Sequence, residues 1–147
     1  MQLTNYTDDE KCKVAIRVAE ISLDSITPKD ENYEFCRESI ELCRQWLQHK
    51  KISKVDILER ASSHGRAIAD IVMEIEDLEL ANKYGSILIC VLYIGWQAYN
   101  YEEDYFYPQD LESMSDEELE TLIEELIEEG LLREQDLETI LGGGNKA

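Results

Sequence analysis

The chain is short of the residues that interrupt helices. Its 147 residues include two prolines and seven glycines, and three of those glycines, Gly142, Gly143 and Gly144, sit together near the end. The rest is rich in Leu, Glu, Ile and Ala, a composition that favours helices joined by few turns. Histidine is nearly missing, with only His49 and His64, and the four cysteines Cys12, Cys36, Cys43 and Cys90 form no CxxC pair. Paired thiols for zinc, a Glu-x-x-His pair for di-iron and the alternating acids and glycine of a calcium loop are all lacking, so no metal or other cofactor is expected. Cys36 and Cys43 stand two turns apart on one expected helix, about 10 Å of rise and beyond the reach of a disulfide. With no signal-peptide pattern at the amino terminus, the simplest location is a reducing cytoplasm. Long apolar runs are lacking as well. The longest covers residues 87–94, far short of a membrane span and suited to a buried core helix.

Basic residues are the scarcest relative to their counterparts. Fourteen Lys and Arg face 33 Asp and Glu, for a formal charge of −19 and a pI near 4.3. Such a surface repels phosphate backbones and anionic membranes, so neither nucleic acid nor membrane is expected as a partner. The imbalance is uneven, because residues 101–147 hold 16 of the acids and 2 of the bases. The hydrophobic share is 44%, and a chain of this length buries roughly 68–70% of its unfolded surface on folding, enough for one domain with a core.

Apolar periodicity lays out six to seven helices around a central one. The first starts after Thr7, a cap for a turn carrying Asp8, Asp9 and Glu10, and repeats Val14, Ala15, Val18, Ala19, Leu23 and Ile26. Pro28 closes it and Asp30 is placed to cap a second, with Tyr33, Cys36, Ile40, Cys43 and Leu47 on its inner face. Ser53 and Asp56 read as a capping box for a short third helix, and Ala67, Ile68, Ile71, Val72 and Ile75 make a fourth. A fifth, over residues 78–100, is apolar all round from residue 87 to 96 and belongs at the centre. Ser115 and Glu118 read as a capping box for a sixth, stopped by Gly130, and a last short helix covers residues 134–141. The expected architecture is a single all-α domain over residues 1–141, with an acidic helical part at residues 108–141 and a disordered glycine-rich tail at 142–147.

No catalytic constellation stands out. Ser62, Ser63 and His64 are adjacent in sequence, which seldom yields triad geometry, and Gly65 and Arg66 beside them mark a helix junction. The sequence directs attention instead to two acidic features. Residues 99–107 place Tyr99, Tyr101, Tyr105, Phe106 and Tyr107 around Glu102, Glu103 and Asp104. Tyrosine supplies large contact area at little rotamer cost, and acids beside it select a basic partner. Tyr99 and Phe106 are expected to face the core, with Tyr101, Glu102, Glu103, Asp104 and Tyr105 outward. On the sixth helix, Glu117, Glu120, Glu124 and Glu128 belong to a run of carboxylates with no basic residue between Glu112 and Arg133. That is more charge than solubility requires. The partner-binding residues expected are therefore Tyr101, Glu102, Glu103, Asp104, Tyr105, Glu117, Glu120, Glu124 and Glu128, and the basic stretch at residues 49–54 is the next candidate.

The layout resembles immunity protein family six of bacterial polymorphic and contact-dependent toxin systems. The likeness rests on the apolar helix at residues 86–99 with Trp96 and Tyr99, the acidic-aromatic stretch, the run Tyr107, Pro108, Gln109, Asp110, Leu111 and Glu112, and the Glu-rich closing helices. It implies a non-enzymatic antitoxin that binds a cognate toxin domain, often a nuclease, in the cytoplasm of the producing cell, and it brings no catalytic residues. The reading from another class is an acidic helical adaptor or regulatory subunit of a cytoplasmic complex.

Overall fold

The structure, a computed structural model, describes residues 1–62 and 66–145. Among these, seven α-helices follow in order: α1 (Asp8–Asp24), α2 (Tyr33–His49), α3 (Lys54–Ala61), α4 (Ile68–Glu74), α5 (Leu78–Tyr101), α6 (Asp116–Glu128) and α7 (Glu134–Asn145), with one 3-10 turn at Gln109–Leu111. The expected all-α bundle is what forms. α5 is its axis, touched by α1, α2, α3, α4, α6 and the 3-10 turn, while α7 lies on α1.

Local capping signals were obeyed where nothing tertiary competed with them. The Thr7 hydroxyl accepts the Glu10 N–H at 3.1 Å and the Glu10 carboxylate accepts the Thr7 N–H at 2.9 Å, a full capping box. Ser53 accepts the Val55 N–H at the start of α3, which makes the cap but not the reciprocal Asp56 bond of the expected capping box. Two other expected caps are not made. α2 begins after Asn32, with no side-chain cap, because the Asp30 carboxylate takes the Asn32 N–H and the hydroxyl of buried Tyr84 instead. Ser115 precedes α6 as expected but its hydroxyl caps nothing. That end is held by Asp116, which accepts the Tyr93 hydroxyl and the Lys11 ammonium, each at 2.7 Å.

By length and composition α5 could cross a membrane, and half of that window is buried inside the bundle. Its apolar character has a packing role: Tyr84, Ile87, Cys90, Val91, Tyr93, Ile94 and Ala98 are all buried in the core. α6 adds Leu119, Leu122, Ile123 and Leu126. Each such aliphatic side chain contributes about 1.5–3 kcal/mol on burial, whereas like-charge pairs one turn apart cost a few tenths each, so the acidic helix stays docked despite its self-repulsion. α6 ends at Gly130, whose φ is 78°. α7 buries Leu137 and Leu141 and runs on to Asn145, past the expected end at Leu141. A glycine costs roughly 1 kcal/mol in a helix against alanine, a penalty rather than a prohibition.

Candidate partner-binding surface

α5 ends in a turn that shapes the acidic-aromatic stretch. The Asp104 N–H returns to the Tyr99 carbonyl at 2.9 Å and the Glu103 N–H to the Asn100 carbonyl at 3.0 Å, the two bonds of a Schellman motif. Glu103 takes the left-handed position, with φ of 56°. On either side of it, the Lys54 ammonium bridges Glu102 at 3.2 Å and Asp104 at 2.9 Å and lies 4.9 Å from the centre of the Tyr99 ring. The hydrogen bond from Lys54, helped by the Phe106 N–H, holds the Asp104 carboxyl below its ordinary value. The Asp104 carboxylate in turn raises Lys54.

A second lysine sits behind the first. The Lys50 ammonium is 5.1 Å from the Trp46 ring centre and 5.3 Å from that of Tyr101, and it pairs with Asp9 at 3.0 Å. Trp46 and Tyr101 meet edge to face at 6.1 Å. The basic stretch and the acidic-aromatic stretch are thus one place in the fold, joined by their opposite charges. Glu102 and Asp104 are already engaged, while Glu103 points outward as an exposed side chain.

Tyr99 is buried as expected, but Phe106 is not: 94% of it is exposed, against 64% for Tyr105 and 59% for Tyr101. Tyr107 takes the inward place instead, its ring 6.4 Å from Tyr99 and its hydroxyl bonded to Asn100. The Asp104 carboxylate accepts the Phe106 N–H at 3.2 Å, a local turn that throws the phenyl ring outward. Hydrophobicity alone sent Phe106 inward, and no signal within the sequence distinguished it from Tyr107.

On α6, Glu117, Glu118, Glu124, Glu125, Glu128 and Glu129 are exposed. Glu120 differs, since its carboxylate accepts the Leu3 N–H at 2.7 Å and ties down the amino terminus. α6 runs antiparallel to α5: Asp116 lies at Tyr93, and Leu126 and Glu129 lie at Asn82 and Lys83. At about 1.5 Å of rise per residue, the level of Tyr101 is about 12 Å beyond the start of α6 and about 27 Å beyond its end. Glu117 is therefore the acid nearest the aromatic end, and Glu128 lies at the opposite end of the bundle. Both fall within the reach of a protein partner that covers about 800 Å².

Other features lead elsewhere. A wide depression of about 410 Å³ between α1, α2 and α7 carries Lys13, Arg17 and Arg44 beside Asp9 and Glu20; Arg17 and Arg44 both pair with Glu20, so it offers a basic partner no excess of acid. The Ser62 hydroxyl donates to Asp110 at 2.7 Å; Ser63 and His64 lie outside the described residues. All four thiols are buried and unpaired. Burial pushes those of Cys36 and Cys43 up to about 12, so they are not nucleophiles at neutral pH. Among the described residues no three His, Cys, Asp or Glu side chains are grouped to hold a metal ion.

What the elements assemble is a small all-α bundle that exposes aromatic rings at one end and carboxylates along one helix. The chain matches the family described as immunity protein Imm6 over residues 10–129, and it belongs to that family. The matched span runs from the first turn of α1 to the end of α6 and includes the whole acidic-aromatic turn. No curated protein and no solved structure matches the chain.

Proposed function

We propose that this immunity protein is a non-enzymatic antitoxin of the cytoplasm that neutralises a cognate, basic, nuclease-type toxin domain. In this reading Tyr101, Tyr105 and Phe106 anchor the toxin, Glu102, Glu103 and Asp104 frame them, and the outer face of α6 around Glu117, Glu124 and Glu128 steers its approach. One observation carries the reading: three aromatic side chains more than half exposed, gathered at one end of a family member whose net charge is −19. Exposed rings framed by charge are the composition of protein interfaces, and complementary fields raise association rates by orders of magnitude. The same field disfavours nucleic acid and anionic membranes as partners. Glu120 contributes to this face through the terminus that it holds.

The test uses the catalytic domain of the toxin encoded beside this gene, prepared as an inactive variant, with binding kinetics measured at low and high salt. Truncating Phe106 or Tyr105 to Ala should speed dissociation by roughly 30-fold, the equivalent of a hot spot of about 2 kcal/mol. Reversing Glu117, Glu124 and Glu128 to Lys should slow association and flatten its salt dependence. Reversal of Glu102 or Asp104 is a poorer probe, because it also breaks the Lys54 bridge. Failure of the chain to bind this domain and to protect cells expressing the active toxin would overturn the proposal.

A further inference from the structure

At the end of the bundle opposite the aromatic rings, α1, α5 and the end of α6 enclose a cavity of about 80 Å³. Three aliphatic side chains, Ile21, Leu126 and Leu131, wall it, and the carboxylates Glu79 and Glu129 stand on its lining beside Asn82. At about 10–15 Å³ per water, the space accommodates several waters or the end of one large side chain. Aliphatic walls hold water poorly, and apolar surface is left uncovered beside them: Leu131 is 46% and Leu78 is 73% exposed. Leu78 stands one helical turn before Asn82, on the same face of α5. Lys83 also reaches the cavity, but its ammonium is held by the Ser25 carbonyl at 3.0 Å and by Glu79 at 3.9 Å. Apart from Lys83 the surrounding surface is acidic among the described residues, with Glu74, Glu76, Asp77, Glu125 and Glu128 exposed around the adjoining helix ends.

We infer that this cavity is a second anchoring site for the toxin domain and takes a cationic side chain from it. The partner's aliphatic stem lies against Ile21, Leu126 and Leu131, and its charged head lies among Glu79 and Glu129. Arginine fits this chemistry better than lysine, because its weakly hydrated guanidinium leaves water at lower cost and can bond two carboxylate oxygens at once. A basic nuclease surface is rich in such side chains, whereas an acidic group would be repelled and a purely apolar one would leave the Glu129 carboxylate, which Lys83 does not bridge, without a cation. The inference rests on the function proposed above and extends the contact surface from the aromatic end, along the outer face of α6, to the far end of the bundle.

The experiment compares the native chain with Asn82→Trp and with Phe106→Ala, using the same inactive toxin domain. Asn82 is an exposed helical position whose backbone carbonyl accepts the Ser86 hydroxyl, a bond that does not involve its side chain, so an indole there plugs the cavity without disturbing the core. An unchanged melting temperature verifies that it folds. Asn82→Trp should raise Kd about tenfold or more, and the Leu126 and Leu131 methyl groups of the native complex should show NMR contacts to arginine or lysine side-chain protons of the toxin. A folded Asn82→Trp chain that binds with native Kd, or methyl contacts to acidic or apolar toxin residues, would overturn the cavity site while the antitoxin reading stands. Absence of binding by the native chain would instead remove the antitoxin reading and this inference with it. A Glu79→Lys, Glu129→Lys chain supplies an independent measurement: its Kd should rise by a similar factor, and an unchanged value counts against the site.

Discussion

The carboxyl ends of α5 and α6 are built from the same two hydrogen bonds on different residues. At the end of α6 the Leu131 N–H returns to Leu126 and the Gly130 N–H to Ile127, with glycine in the left-handed position that costs it nothing. At the end of α5 the identical pattern places Glu103 there, where a side chain costs roughly 1–2 kcal/mol. The two turns also differ in what holds them. Gly130 is exposed and a Cβ added to it would meet nothing, whereas the residues flanking Glu103 are clamped by Lys54. A left-handed glutamate persists only where its surroundings over-determine it, and such positions gather at functional sites. The turn of α6 stops a helix; the turn of α5 presents Tyr105 and Phe106.

The largest expected difference between the two regions is in what their apolar side chains contribute to stability. Ile123→Ala, in the fully buried face of α6, should lower unfolding free energy by about 2–5 kcal/mol, whereas Phe106→Ala, almost wholly exposed, should change it by less than about 0.5 kcal/mol. Urea denaturation of both variants measures the difference. A large loss for Phe106→Ala would mean that the ring supports the fold, and the interface reading would lose its anchor.

A mirrored pair of substitutions tests the turns themselves. Gly130→Ala should destabilise by about 1–2 kcal/mol through backbone strain alone, since no atom lies in the way of the new methyl group. Glu103→Gly relieves the same strain but adds freedom to the unfolded chain worth roughly 0.5–1 kcal/mol, so it should be neutral or stabilising by up to about 1.5 kcal/mol. Thermal melts that moved in the same direction for both would contradict the shared geometry.

The smallest effect is a pH dependence confined to the α5 turn. Asp104 is held below its ordinary value by Lys54, so its contribution is present above the unfolded carboxyl pKa of about 3.9 and is lost as pH falls through the lower folded value. Lys54 is raised, so its contribution is complete below about 10.4 and is lost as pH rises through the higher folded value. Amide exchange or limited proteolysis should find residues 101–107 protected between these limits and opened outside them. Lys54→Met should open the segment at neutral pH as well, while leaving the protection of α6 unchanged.

Much of this organisation was legible in the chain itself. The helical composition, the centrality of α5, the Thr7 box and the stop at Gly130 follow from period, capping chemistry and backbone freedom, all of which act within a few residues. The family resemblance, too, could be seen in the order of apolar, aromatic and acidic segments. Tertiary structure decided which acids are engaged and which rings face out. Asp30 left its cap for Tyr84, Asp116 was taken by Tyr93 and Lys11, and Glu120 closed on Leu3, because groups brought together from distant parts of the chain offered better partners than local backbone. Phe106 and Tyr107 look alike to a hydrophobic pattern. Only the turn pinned by Lys54, whose lysine lies 48 residues from Glu102, turned Phe106 to solvent and set the half-buried Tyr107 against Tyr99.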